Sequence, residues 1–225
     1  MSGVVVMGAA GGCGATTLAV ALALTAVQPG QAPLLVDAGL HGSGPGALWA
    51  MAPSRALDDL LPVGEHLTGA HVDHLVHRHA CGVDVVAGST GPATALALSG
   101  AATAAVAGHV AGRAAWVADA GMGDGPLARA LVPHASRVVM VVPATVQGAR
   151  RAVGLLQALP PVATVVASAL PGGDRLSGRA LRAALGGRDV LALDRDDRAA
   201  LDVADARAPR GRRLARVVAA LMEEA

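Results

Sequence analysis

The chain has 225 residues, 53% of them hydrophobic and 16% charged, with a formal net charge of +1. That length suits one domain, residues 1–225, with a sizeable core, and the apolar content excludes a disordered chain. A charge so near zero gives no general pull toward nucleic acid, and no apolar run is long and unbroken enough to cross a bilayer.

The chain opens on an apolar run, Val4-Val5-Val6-Met7, followed by Gly8-Ala9-Ala10-Gly11-Gly12-Cys13-Gly14-Ala15-Thr16-Thr17 and an Ala/Leu/Val run reaching Val27. The opening run is too short for a signal peptide and has no basic residue before it, so a cytoplasmic location is expected. Strand, glycine loop and helix form the context in which a glycine loop binds phosphate. Glycines let the backbone turn and present N–H groups to an anion, and the helix N-terminus adds its own donors and the positive end of its dipole. Gly11, Gly12, Cys13, Gly14, Ala15, Thr16 and Thr17 are therefore the candidate cofactor-binding residues. Thr16 stands where a magnesium-binding hydroxyl belongs. The pattern G-x-x-x-x-G-K-[ST] wants a lysine where this chain has Ala15, and the chain contains no lysine anywhere. A backbone cradle without that point charge is expected to bind nucleotide yet be poor at stabilising a transferring phosphoryl group.

Pro33 to Asp37 reads as a buried parallel strand ending in a carboxylate. Ala38 to Gly46 is a glycine-rich loop, and Ala47 to Met51 begins something helical. Arg55 to Leu61 carries leucines at helical spacing, and Leu67 to Arg78 reads as an amphipathic helical segment. Val83 to Gly88 is the third strand, Gly100 to Gly112 an alanine-rich helix, and Ala114 to Asp119 the fourth strand, again ending in a carboxylate. Arg137 to Val142, Val162 to Ala167 and Val190 to Leu193 supply three more strands. Helices are expected over Val146 to Leu159, Ser177 to Leu185, Asp196 to Ala206 and Gly211 to Glu223. This alternation argues for one doubly wound α/β domain, a mostly parallel sheet with helices on both faces. Its ligand is expected at the carboxyl ends of the strands.

The loop at 8–17 and the strands ending at Asp37 and Asp119 resemble, in order and spacing, the deviant phosphate-loop ATPases of the ParA/MinD superfamily over essentially the whole chain. That family reads K-G-G-x-G-K-[ST]-T at the loop; here both lysines are replaced, at Ala10 and Ala15. The chain also lacks Asn, Ile, Phe and Tyr, which with lysine have AT-rich codons, so a GC-rich genome explains arginine on the surface. It does not explain Ala15, which we read as relaxed function. The resemblance implies ATP and Mg as cofactors, with Thr16, Asp37 and Asp119 holding the metal mostly through water. It names no catalytic residue, Asp37 being the one candidate. It also implies that the segment from Leu193-Asp194-Arg195-Asp196 through Ala208-Pro209 borders the adenine. Departures from the family include Gly39 where a second carboxylate is frequent, Ser168 where asparagine is frequent, and Gly121 where proline is frequent.

The lysine-poor loop followed by Thr-Leu-Ala-Val-Ala-Leu-Ala is similar to the CpaE/TadZ-like branch, in particular to actinobacterial CpaE-like and septum site-determining (Ssd) proteins. This implies a spatial organiser of a Flp/Tad pilus, secretion or septum apparatus; the superfamily resemblance implies a nucleotide-dependent homodimer, and the missing charges lead us to expect little or no ATP hydrolysis. An active partitioning ATPase and a ligand-free pseudo-ATPase scaffold are the rival expectations. The partitioning ATPase needs the missing lysines and a more basic surface.

Other features carry a sharp and a bland interpretation. His71, His74, His77 and His79 with Cys81 invite a metal reading, but the spacing lacks a zinc signature, and a solvated face is expected. Cys13 and Cys81 are expected to be free thiols. The last helix places Leu214, Val217, Val218, Leu221 and Met222 on one stripe with arginines near its edge. That stripe suits either packing on the sheet or weak peripheral contact with the inner face of a membrane. Arg150 and Arg151 are either a solvated pair or serve a partner or, in a dimer, the nucleotide of the opposite subunit. Ser89 and Thr90 are assigned no chemistry.

Overall fold

The computed structural model describes residues 3–40, 44–98, 100–123, 125–157, 159, 163–169, 175–210 and 212–223, and the backbone alone of Glu65. Gly3–Gly8 forms strand β1 and Ala15–Thr25 helix α1, followed by Leu34–Asp37 (β2) and the short helix Pro45–Leu48 (α2). After two 3₁₀ turns, at Leu57–Leu60 and Gly64–His66, come Gly69–His74 (α3), Val76–Arg78 (β3) and Asp84–Val86 (β4). Pro92–Ala97 (α4), Gly100–Ala111 (α5), Trp116–Asp119 (β5) and Pro126–Leu131 (α6) follow, with a 3₁₀ turn at Val132–His134. The chain continues through Arg137–Pro143 (β6), Val146–Gln157 (α7), Thr164–Ser168 (β7), Gly178–Ala184 (α8), Val190–Leu193 (β8), Asp197–Ala204 (α9) and Arg212–Glu223 (α10).

Among the described residues the strands form one eight-stranded sheet in the order β3-β4-β2-β5-β1-β6-β7-β8. Every neighbouring pair is parallel except β3 with β4. Side chains alternate across the pleat, so Val5 and Met7 of β1 enter one apolar layer while Val4 and Val6 enter the other. The first layer is closed by α5, α6, α7 and α8, the second by α1, α9 and α10. Two buried faces are what make the central strands read as continuous apolar runs.

Helix α1 is apolar all round because it is covered all round, by the sheet on one side and by α9 and α10 on the other. The stripe on α10 is part of that cover: Leu214, Val217, Val218 and Leu221 are buried, Leu221 completely, and Met222 packs beside them. Of the two expectations for this stripe, packing in the core is the one the structure shows. Its apolar side chains already sit in the core, and lipid could reach them only if α10 left the sheet. No helix among the described residues is long and apolar enough to cross a membrane.

Sequence periodicity misjudged one strand. The helix expected over 67–78 ends at His74, and Val76–Arg78 turns back antiparallel along β4, pairing Val76 with Val86 and Arg78 with Asp84. An unpaired parallel edge offers a full row of backbone partners, and that tertiary gain overrides a local helical pattern. The leucines at 57–61 form a 3₁₀ turn, and α4 and α6 are additional short helices, each with proline in its first turn. The expected starts at Val162 and Gly211 lie outside the described residues, as do 41–43 of the glycine-rich loop.

Candidate functional site

The loop between β1 and α1 lies at the carboxyl end of the central strand. Gly12 and Gly14 hold φ of 71° and 93°, a left-handed conformation that side-chain-bearing residues rarely adopt. Gly14 caps α1 without any side-chain bond of its own. A Cβ built on Gly11, Gly12 or Gly14 would meet nothing within 4 Å, so the loop faces open space. Cys13 is different. Its side chain is buried beneath the loop, and a Cβ on Gly8 would fall 2.5 Å from its Sγ. Burial pushes its thiol pKa up. Cys13 can therefore offer a ligand its backbone but hardly its sulfur.

Over the loop opens a cavity of about 340 Å³ lined by residues 10–17, Leu40, Asp37, Asp119 and Met122. The two aspartates end adjacent parallel strands in direct register, Asp37 opposite Asp119. They are only 5% and 1% exposed. Each accepts the N–H two residues on, from Gly39 and Gly121 respectively, both at 3.2 Å. Burial and then the Asp119 charge raise the pKa of Asp37 to about 7, against the Gly39 and Gly44 amides. Burial likewise raises Asp119, tempered by a bond from the Thr16 side chain and by the Gly121 amide. Among the described residues no arginine or histidine lines this cavity, and the chain has no lysine. Two buried carboxylates facing each other without a protein cation suit a hard divalent ion, which takes oxygen ligands. The residues present thus fit magnesium, with Thr16, Asp37 and Asp119 as the ones that could hold it.

Close packing enforces this arrangement. A Cβ on Gly44 would lie 2.3 Å from Asp37 Oδ2, and one on Gly88 would lie 2.6 Å from Asp37 Cγ. Gly121 has φ of 55°, which proline cannot adopt, and its carbonyl accepts the Gly8 N–H at 2.7 Å. The departure from the frequent proline is therefore matched by the backbone. Neither Gly44 nor Gly88 was singled out by sequence, because nothing local reveals that a carboxylate from β2 occupies their side-chain space.

A second cavity, of about 240 Å³, shares Gly12, Cys13, Gly14 and Thr17 with the first. It runs to Ser168 at the end of β7 and to residues 193–196 after β8. These are among the positions expected at the adenine. Asp196 is turned aside to cap α9, accepting from Ala199 N–H at 3.0 Å. Ser168 is buried and its Oγ has no hydrogen-bond partner among the described residues.

The histidines serve local structure. His71 Nδ1 takes the Thr68 N–H at 3.1 Å to close the start of α3, and His77 Nε2 lies 2.8 Å from the Arg55 carbonyl. His74 contacts Arg55, while His79 stacks on Trp49 at 4.6 Å and meets Cys81 Sγ at 3.0 Å. The expectation of a merely solvated face is corrected by these contacts. Among the described residues no group of three or more His, Cys, Asp or Glu is placed to hold a metal.

No protein-family model matches the chain, and no curated protein matches it by sequence. Solved structures do match its fold. A ParA family ATPase from Chlorobium tepidum is 16% identical with a TM-score of 0.74, over 96% of this chain and 91% of that one. The Pyrococcus furiosus cell division ATPase MinD is 14% identical with a TM-score of 0.75, over 100% of both chains. The Pyrococcus horikoshii septum site-determining protein MinD, complexed with Mg-ADP, is 15% identical with a TM-score of 0.68, over 92% of this chain and 86% of that one. At such identities the likeness concerns architecture, and the chain has the fold of the ParA/MinD ATPases.

Proposed function

We propose that this chain is a single ParA/MinD-like domain that binds a magnesium–nucleotide complex as a positioning switch, with little or no hydrolysis. The carrying observation is the meeting of two cavities at residues 12–14 and Thr17. One end has the backbone cradle and the register-matched carboxylates, the other a recess suited to a base. The bound complex would bring the phosphates and the metal charge; Gly11 to Thr17 would hold the former, and Thr16, Asp37 and Asp119 the latter. With Ala10 and Ala15 in place of lysines, the cradle has no side-chain cation to stabilise charge on a transferring phosphoryl group, so binding outlasts catalysis in this design. Asp37 has no assigned catalytic step.

The cellular role we propose is placement of a pilus, secretion or septum apparatus by a CpaE/TadZ/Ssd-like protein, through a nucleotide-dependent homodimer recruited by its protein partners. It is supported by the ParA/MinD fold, whose solved examples include cell division and septum site-determining proteins. Calorimetry with Mg-ATP and Mg-ADP tests the molecular part, alongside a Thr16→Ala/Asp119→Ala variant, an ATPase assay and sedimentation of the liganded protein. Saturable binding that the variant loses, a dimer with ATP and negligible turnover are expected. Robust hydrolysis abolished by Asp119→Ala would overturn the switch without catalysis. No binding at millimolar nucleotide would leave a scaffold without a ligand.

A further inference from the structure

The phosphate cradle lacks an internal cation among the described residues, yet Arg151 stands on its outer flank. Helix α7 buries Gly148, Ala149, Ala152 and Leu156 against the sheet. That orientation puts positions 151, 154 and 155 on one edge, at helical i, i+3, i+4 spacing. This edge and Gly8, Ala9 and Met122 line a cavity of about 330 Å³. Met122 also lines the cavity over the glycine loop, and Ala9 leads directly into Ala10 of that cavity's wall. The two spaces therefore adjoin along the loop's outer side.

Arg151 is exposed and makes no hydrogen bond or ion pair with any described residue. Gly154, one turn on, puts no side chain in its way, since a Cβ there would meet nothing within 4 Å. Arg150 is exposed too but lines neither cavity. The packing of α7 thus distinguishes two adjacent arginines that the sequence cannot.

We infer that Arg151 is a phosphate-binding residue of this chain, supplying from the flank of the loop the positive charge that Ala15 cannot supply from within it. The inference rests on the nucleotide-binding function proposed above. A guanidinium suits the task because its planar fork donates two parallel bonds to phosphate oxygens and stays charged at any working pH. Its long side chain reaches from a helix edge, whereas a lysine at position 15 would rise from the cradle itself. The residue binds and orients; it is given no part in bond making.

Calorimetry of the full chain with Mg-ADP and Mg-ATP tests this through Arg151→Ala, Arg151→Lys, Arg150→Ala and the double variant Ala15→Lys/Arg151→Ala. Loss of a charge-assisted bond should weaken nucleotide binding about tenfold or more in Arg151→Ala, with Arg151→Lys intermediate. Arg150→Ala should stay within about twofold of wild type, as an exposed charge off the site does. Restoring lysine at position 15 should recover most of the affinity that Arg151→Ala loses. Binding by Arg151→Ala equal to wild type would overturn the assignment and leave the nucleotide site standing. Equal losses in the two single arginine variants would also overturn it, by showing a diffuse field. A wild-type chain that binds no nucleotide would overturn both proposals.

Discussion

Replacing Asp37 by asparagine should make the free protein more stable while abolishing its use of magnesium. Asp37 is buried opposite Asp119, and its pKa rises from 3.8 to about 7. An acid whose folded pKa is raised costs nothing below the unfolded value. Its cost grows as pH rises from near 4 and is complete above about 7, where the folded chain must hold a buried charge. The full shift corresponds to about 4 kcal/mol. Asparagine does not recover all of it. Its carbonyl keeps the Gly39 N–H, but its amide group cannot accept from Gly44, which the carboxylate does. One unsatisfied buried donor returns about 1–3 kcal/mol. A net gain of about 2 kcal/mol at pH 8 follows, a rise of roughly 4–8 °C in Tm for a domain of this size. Thermal melts of both proteins in a chelator at pH 4, 6 and 8 measure it, and the gain should appear only as pH rises. Added magnesium should stabilise wild type and leave Asp37→Asn unmoved. A variant less stable than wild type at pH 8, or a gain equal at every pH, would refute the claim that the aspartate pair is electrostatically strained.

Two further substitutions test the packing around the site. Gly44→Ala puts a Cβ 2.3 Å from Asp37 Oδ2. It should cost about 1–3 kcal/mol in urea melts and weaken magnesium-dependent binding. Gly46→Ala in the same short helix meets nothing within 4 Å and should be neutral or slightly stabilising; equal losses at both positions would discount the steric argument. Trp49→Phe removes the indole bond to the Val203 carbonyl, 2.8 Å long and buried. That carbonyl also accepts the Ala206 N–H at 3.1 Å, so the loss should sit near about 1 kcal/mol. A urea midpoint identical to wild type would mean the bond contributes nothing.

Much of this protein was legible along the chain because its signals are local. The alternation of apolar runs and helical segments specified a doubly wound sheet, since each element must bury its own apolar face whatever its neighbours are. The glycines of the loop declared a turn that only glycine adopts easily, and position 15 declared a missing charge. Carboxylates ending two apolar strands marked Asp37 and Asp119, although the same pattern suits a simple turn. What the chain order could not reveal was anything depending on which strand lies beside which. Insertion of β5 between β2 and β1 sets Asp37 opposite Asp119 and turns two turn-capping carboxylates into a strained pair. The open edge of β4 draws Val76–Arg78 out of a helical pattern. Burial of α10 against α1 decides between core and membrane for a stripe that is amphipathic either way, and the roll of α7 separates Arg151 from Arg150. Periodicity records how far apart residues are along one element, while neighbourhood, desolvation and facing charge arise only when distant elements meet.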